Sequence, residues 1–335
     1  MSATEEPGRA DEPHRLSLVI PVYQGEKTLE ALVAEIERLT VPFRTAAGHL
    51  AVVDEVLPVY DNGPDDSARV IRELARKHEF VRPVWLSRNF GQHPATLAGM
   101  ASSGGDWIVT LDEDGQHDPG DIGSLLDAAL AADASVVYGR PTNSPPHGAL
   151  RNAASRGSKV VVRSLTGGTD ATVYQSFRLV LGEIGRSVAA YAGPGVYLDV
   201  ALGWVAGRVA QAPVTLRAED RESGYRLRSL LSHFWRMVLS SGTRALRAVS
   251  VTGVAFAILG IAFALYLLVS RLVGGPVAEG WTSTIVVLLV GTGAILFALG
   301  IVAEYVGVAV NMAIGKPPYL IVGDPADGPL GRRQR

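Results

Sequence analysis

Two runs without a single charge, Ala248 to Ser270 and Trp281 to Ala303, constrain this chain more than anything else in it. At about 1.5 Å per residue in a helix, each is long enough to cross a hydrocarbon core of roughly 30 Å. Soluble helices of that length keep a charged or polar face, and these runs do not. The connector "RLVGGPVAEGW" is short and rich in Gly and Pro, which predicts a two-helix transmembrane hairpin. Arg244 and Arg247 precede the first run, and Lys316, Arg332, Arg333 and Arg335 follow the second, while the connector offers Arg271. The positive-inside bias puts both termini in the cytoplasm. Glu304, just past the second run, is expected near the interface. Upstream, "YRLRSLLSHFWRMVLSSGTRALR" interleaves Arg with Leu, Phe and Trp. It predicts amphipathic juxtamembrane helices over 226–247, lying on the cytoplasmic leaflet. Residues 304–335 are expected as a cytoplasmic tail. Residues 1–15 are polar and lack an apolar h-region, so they read as a disordered tail, not a signal peptide.

Residues 16–225 follow a different rule. "LSLVIPVY", "AVVDEVLPVYD", "VRPVWLS", "DWIVTLD" and "ASVVYGR" are apolar runs suited to buried strands. "EKTLEALVAEIERL", "DSARVIRELARKH", "PATLAGMASS" and "IGSLLDAALAAD" have helical character and lie between them. The alternation predicts an α/β domain with a mostly parallel sheet. A formal net charge of -2 leaves no global basic field for nucleic acid. With no cysteine in the chain, disulfides, Cys-ligated zinc and thiol catalysis are excluded.

In such sheets ligands gather at the carboxyl ends of the strands, so the residues that close each strand matter most. The first strand ends "PVYQGE", with neither a dinucleotide nor a P-loop glycine pattern. The second ends at Asp61, before an Asn62-Gly63 turn. The third carries Arg88 and Asn89 at its tip. The fourth ends in Asp112-Glu113-Asp114, followed by Gly115, Gln116 and His117. Strand alternation sends Asp112 and Asp114 to one side and Glu113 to the other. Two hard oxygen ligands at that spacing suit Mg²⁺ or Mn²⁺ shared with a diphosphate, which would also relieve their mutual repulsion. His93 and His117 read as polar loop residues in preference to bases.

"IPVYQGEKTLEALV", "YDNGPDDSARVI", "LSRNFGQHPATLAGM" and "LDEDGQHDP" together resemble the inverting glycosyltransferases of GT-A fold, and most closely the polyprenyl-phosphate glycosyltransferases. The resemblance extends through "RNAASRGSKVVVRSLTG", "SFRL" and "SGYRLRSL" to "AEYVG" in the second apolar segment, covering about Leu16 to Tyr319. It implies a GT-A (Rossmann-like) domain over 16–225 and transmembrane helices at 248–270 and 281–303. It also implies residence in the inner (cytoplasmic) membrane, with the catalytic domain in the cytoplasm. The implied reaction passes a sugar, with inversion, from a nucleotide-sugar donor to the phosphate of a polyprenyl phosphate. By position, Pro21, Tyr23 and Glu26 would lie beside the nucleotide, Asp61 would contact the base, and Arg88 would assist on the donor side. Asp112 and Asp114 would hold the metal, and Gln116 would lie near the sugar or acceptor phosphate. Arg178, Arg221, Ser223 and Tyr225 would serve the acceptor or its phosphate. Besides donor, acceptor and lipid bilayer, a second copy of the chain is an open partner.

The chain departs from the family pattern in several places. Asn62 and Pro64 stand in a stretch that is usually Asp-Asp-Gly-Ser, and Glu113 replaces a usual Ala. Gln175-Ser176 occupies the place of an acidic residue, with Asp170 displaced. Gly224 replaces a Lys in the phosphate loop, and the Arg of that loop is either Arg217 or Arg221. Losing a cation beside two phosphates weakens binding or transfer unless another Arg compensates. Two alternatives therefore stay open: a processive polysaccharide synthase, since "QSFRL" resembles an acceptor motif of such enzymes, and a pseudoenzyme that binds sugar nucleotide or polyprenyl phosphate without turnover.

Overall fold

The computed structural model describes residues 12–143, 174–217, 244–273 and 280–329. In chain order these form β1 (His14–Val22), α1 (Leu29–Ile36), β2 (Phe43–Arg44), β3 (Leu50–Tyr60), α2 (Ser67–Lys77), β4 (Val84–Leu86), α3 (Gln92–Ser102), β5 (Trp107–Thr110), α4 (Ile122–Ala132), β6 (Val136–Pro141) and β7 (Arg178–Leu181). Then follow α5 (Gly182–Tyr191), α6 (Leu198–Val205), β8 (Val209–Val214), α7 (Arg244–Leu272), α8 (Trp281–Ala313) and β9 (Ile321–Val322).

The strands lie in one sheet ordered β8-β6-β7-β5-β1-β3-β4-β9, with β2 beside β3. β1 pairs in parallel with β3 and β5, β3 with β4, and β6 with β8. β7 is wedged antiparallel between β5 and β6, and β9 is antiparallel to β4. The sheet is thus α/β and mostly parallel, as the alternation predicts. β1 shows why its sequence reads as an unbroken apolar run. Leu16, Leu18, Ile20 and Val22 join the core beneath α1, α2 and α4, while Val19 joins the core beneath α3, α5 and α6. A strand covered on both faces has no use for polar alternation.

Two features of the soluble part escape the sequence pattern. β7 is only Arg178–Leu181, begun by a charged residue, and its partners lie far away in the chain. β9 turns part of the expected tail into an edge strand: Trp85 faces Val322 and Leu86 faces Ile321, and Ser87 N–H donates to Leu320 C=O at 3.0 Å. Beside it, the Arg72 guanidinium grips Asp324 through two bonds, 2.7 and 2.8 Å.

The two charge-free runs fall in α7 and α8. α8 extends to Ala313, past the expected end at Ala303, so Glu304 lies inside the helix. Among the described residues one helix segment, Val290–Ala313, is long and apolar enough to cross a membrane. Its mean hydropathy is 2.1 and only 6% of it is buried, the opposite of a soluble core helix. The juxtamembrane stretch up to residue 243, Asp170, Arg221, Ser223, Gly224 and Tyr225 lie outside the described residues.

Candidate active site

The chain runs from β1 to β3 and β4 on one side of β1, then crosses to β5 on the other. A crevice opens outside the carboxyl ends of the strands at such a reversal. Here it is a cleft of about 1140 Å³. Pro21, Tyr23 and Glu26 line it after β1, Asp61 after β3, and Asp112, Asp114 and Gln116 after β5. The loops that carry them approach so closely that only glycine fits at residue 63, where a Cβ would stand 1.5 Å from the Tyr23 carbonyl oxygen.

Asp112 is held at both ends. Gln92 Nε2, from the first turn of α3, donates to Oδ1 at 2.7 Å, and Ser176 Oγ donates to Oδ2 at 2.5 Å. Asp114 turns back to accept the Gln116 N–H at 3.0 Å. Glu113 is directed elsewhere, accepting the N–H groups of Tyr23 at 2.8 Å and Gln24 at 2.9 Å. It ties the end of β1 to the end of β5. Burial pushes its carboxyl up to about 7, against the two amide bonds that favour the anion.

Several assigned residues are already engaged. Asp61 is buried, and its two oxygens accept the N–H groups of Phe90 at 2.7 Å and Gly91 at 2.8 Å. It fixes the loop that leads into α3, and burial raises its pKa despite those bonds. Arg88 is not part of the cleft lining, since its guanidinium lies over the Phe90 ring, 4.0 Å from the centroid. Arg178 is the most enclosed of the assigned cations among the described residues. It is 3% exposed, paired with buried Asp199, and donates to Thr110 Oγ1 at 3.0 Å. So enclosed, the guanidinium ties β7 to β5 and to Asp199. Arg217 pairs with Glu35 at 2.8 Å and Asp118 at 3.1 Å, so it too is committed at the domain surface.

Lys27 is the one Lys or Arg among the described residues lining the cleft. Sequence reasoning passed over it and Gln92, and assigned Glu113 and Ser176 no part in the site. Gln92 and Ser176 had only their place inside quoted motifs as a signal, because their link to Asp112 is made by tertiary structure. His117 stacks on Phe177 with ring centroids 5.0 Å apart, and its Nδ1 accepts the Asp112 N–H at 3.2 Å. Burial lowers its pKa, so at neutral pH it is an uncharged structural acceptor. His93 rests against Tyr197, centroids 4.2 Å apart.

Residues 17–182 match the model of the glycosyl transferase family 2. An undecaprenyl-phosphate 4-deoxy-4-formamido-L-arabinose transferase from Edwardsiella ictaluri is 31% identical over 310 residues, covering 91% of this chain and 93% of that protein. The protein of the same name from Sodalis glossinidius is 31% identical over 324 residues, covering 96% and 97%. Among solved structures, glucosyl-3-phosphoglycerate synthase from Mycobacterium tuberculosis, in complex with Mn²⁺, UDP and phosphoglyceric acid, superposes with a TM-score of 0.49 at 17% identity over 69% of this chain and 78% of that one. The chain is a glycosyltransferase that belongs to glycosyl transferase family 2, among the polyprenyl-phosphate glycosyltransferases whose members it matches over almost its whole length.

Proposed function

We propose that the protein moves one sugar, with inversion, from a nucleotide-sugar donor to a polyprenyl phosphate at the cytoplasmic face of the inner membrane. The observation that carries this reading is the cleft at the strand ends with Asp112 fixed at its floor, in a chain that aligns end to end with undecaprenyl-phosphate sugar transferases. A phosphate oxygen of the acceptor attacks the anomeric carbon, and the bond from that carbon to the nucleoside diphosphate breaks. The acceptor is already an anion, so no strong base is needed. In agreement, the His117 ring is buried against Phe177 and its Nδ1 is already taken by the Asp112 N–H.

The harder requirement is to stabilise negative charge on the leaving diphosphate. Among the described residues no group of three or more His, Asp or Glu comes together to hold a metal. Asp112 and Asp114 would hold a hard divalent ion, Mg²⁺ or Mn²⁺, shared with the donor diphosphate. Such an ion supplies Lewis-acid neutralisation worth several kcal/mol. Gln92 and Ser176 pre-set the Asp112 carboxylate, so little reorganisation is left for the reaction itself. Lys27 offers a second positive charge to the donor phosphates, and Glu113 holds the Tyr23–Gln24 backbone that borders them.

The membrane assignment rests on α8, with α7 beside it as the second arm of a hairpin and 226–247 as the interfacial segment. A lipid acceptor keeps its phosphate at the leaflet, so a transferase gains from being held there. The test is incubation of detergent-purified protein with polyprenyl phosphate, Mg²⁺ or Mn²⁺, and a panel of radiolabelled sugar nucleotides, beside Asp112→Asn and Asp114→Asn. The expected product is a lipid carrying one sugar, with its formation reduced at least ~100-fold in either variant. A polymeric product, or nucleotide binding without any lipid product, overturns the proposal.

A further inference from the structure

The connection from the end of α5 into α6 is half buried: Val188, Ala189, Ala192 and Leu198 are covered, while Ala190, Tyr191 and Gly195 face solvent. Val188 to Leu198, "VAAYAGPGVYL", contains no charged side chain. Surface turns are ordinarily rich in polar residues, because water is their solvent. Here Tyr191 projects with 89% of its surface exposed, while its neighbours Ala189 and Ala192 are buried.

The same turn is the place where α8 meets the catalytic domain. A Cβ on Gly193 would stand 2.9 Å from Met312 Cε, so the last turn of α8 packs directly against residue 193. Seven residues after Met312, Tyr319 Oη donates to the Ala189 carbonyl at 3.3 Å. The apolar segment of α8 ends at Ala313, one residue beyond Met312. Tyr191 therefore sits between two contacts with the terminus of that segment. Ile314, 70% exposed, extends the apolar surface past the helix end, and Lys316 follows within two residues.

We propose that the catalytic domain rests on the bilayer through the α5–α6 turn, with Tyr191 in the headgroup layer. This rests on the reading of α8 as a membrane span. If α8 crosses the hydrocarbon core, its last apolar turns, Val306 to Ile314, approach the edge of that core before Lys316, and residues 189–193 are fixed beside them. An aromatic ring with a hydroxyl suits that layer, which is apolar on one side and wet on the other. A turn without charge can enter it with no ion to desolvate. Contact here fixes the height of the cleft above the lipid phosphates, a distance a hairpin alone leaves free.

The chain contains no cysteine, so single cysteines can be labelled without removing others. Full-length protein carrying Tyr191→Cys, Ile295→Cys or Asp133→Cys, each with a nitroxide label, is reconstituted into phosphatidylethanolamine/phosphatidylglycerol vesicles. Collision with oxygen, which partitions into lipid, is compared with collision with a water-soluble nickel chelate. Ile295 lies within the apolar segment of α8, and Asp133 is an exposed residue at the end of α4. The expected result is strong oxygen and weak nickel collision at 295, the reverse at 133, and at 191 a nickel collision rate several-fold below that at 133 with raised oxygen collision. A 191 label as open to nickel as the 133 label, with 295 in lipid, leaves α8 a membrane span but overturns the docking proposal. A 191 label shielded from both probes shows protein cover and overturns it too. A 295 label outside lipid removes the membrane reading and the docking proposal together.

Discussion

Asp112 shows how far the setting of a carboxylate depends on its neighbours. A free Asp on a loop samples several rotamers, whereas this one is pinned through both oxygens by Gln92 and Ser176. Removing either donor leaves the carboxylate its charge and takes away part of its fixed geometry. Each of Gln92→Ala and Ser176→Ala is expected to lower turnover about tenfold, the value of one hydrogen bond of ~1–1.5 kcal/mol. The donor's KM should change much less. Steady-state kinetics of both variants, with melting curves to confirm the fold, check this, and a pure rise in KM would remove Gln92 and Ser176 from the positioning role. Glu113 gives a second, pH-dependent prediction. Its folded-state value of about 7 lies above the ordinary 4.5, so the ionised form is the one that folding disfavours. Stability from this group is full below about pH 4.5 and is lost as pH rises through 7, by roughly 3 kcal/mol in total. In metal-free protein the Tm of the wild type should fall between pH 5 and pH 8 relative to Glu113→Gln. Parallel Tm profiles for the two proteins would contradict it. That Asp112 and Asp114 follow a strand and line one cleft was legible in the sequence, because spacing after an apolar strand is a local signal. Gln92, Ser176 and the inward turn of Glu113 were not, because each depends on partners brought in by the fold.

Among the elements, the main strands and helices of the domain were readable from periodicity, since buried parallel strands and the helices that cover them leave strong local patterns. β7 was hidden for a physical reason. It is short and opens with Arg178, whose charge is tolerable in a buried strand only because Asp199 arrives from α6 to pair with it. β9 was hidden because two residues carry no period at all. Its effect on the domain is nevertheless specific. It covers the edge of β4, and the loop after β4 leads through Asn89 and Gly91 to Gln92, all in the cleft lining. The partly buried pair of Arg72 with Asp324 fastens it, with the guanidinium also 5.0 Å from the Trp85 ring centroid. Arg72→Ala is expected to cost about 1–2 kcal/mol of stability. It should also lower turnover more than it lowers donor affinity, because the loop that delivers Gln92 loosens. Denaturant titration and kinetics on the same preparation check both. A stability loss with unchanged kcat would confine β9 to a role in folding.

At the scale of the whole molecule, the chain leaves the sheet, passes through two long apolar helices and returns to the sheet edge. Composition made the helices legible, but nothing in the pattern announced the return. Met312 against Gly193, Tyr319 on Ala189 and β9 on β4 form one fastening from the end of α8 to the domain. On the proposed reading the two substrates come from different phases, the donor from water and the acceptor phosphate from a plane, and the fastening of α8 to the domain then matters. Catalysis requires the cleft to meet that plane within the fraction of an ångström to an ångström that near-attack geometry tolerates. Inserting six Gly and Ser residues between Gly315 and Lys316 separates the two functions. β9 can still pair with β4, so the melting temperature and nucleotide affinity should stay near wild type. Transfer to polyprenyl phosphate in vesicles should fall by roughly tenfold or more. Transfer to a short, water-soluble isoprenyl phosphate should be preserved, because that acceptor comes to the cleft wherever the cleft is held. Equal losses with both acceptors would mean that the insertion damages the site itself. Wild-type rates with both would mean that the spacing between α8 and the sheet edge does not govern access to the lipid.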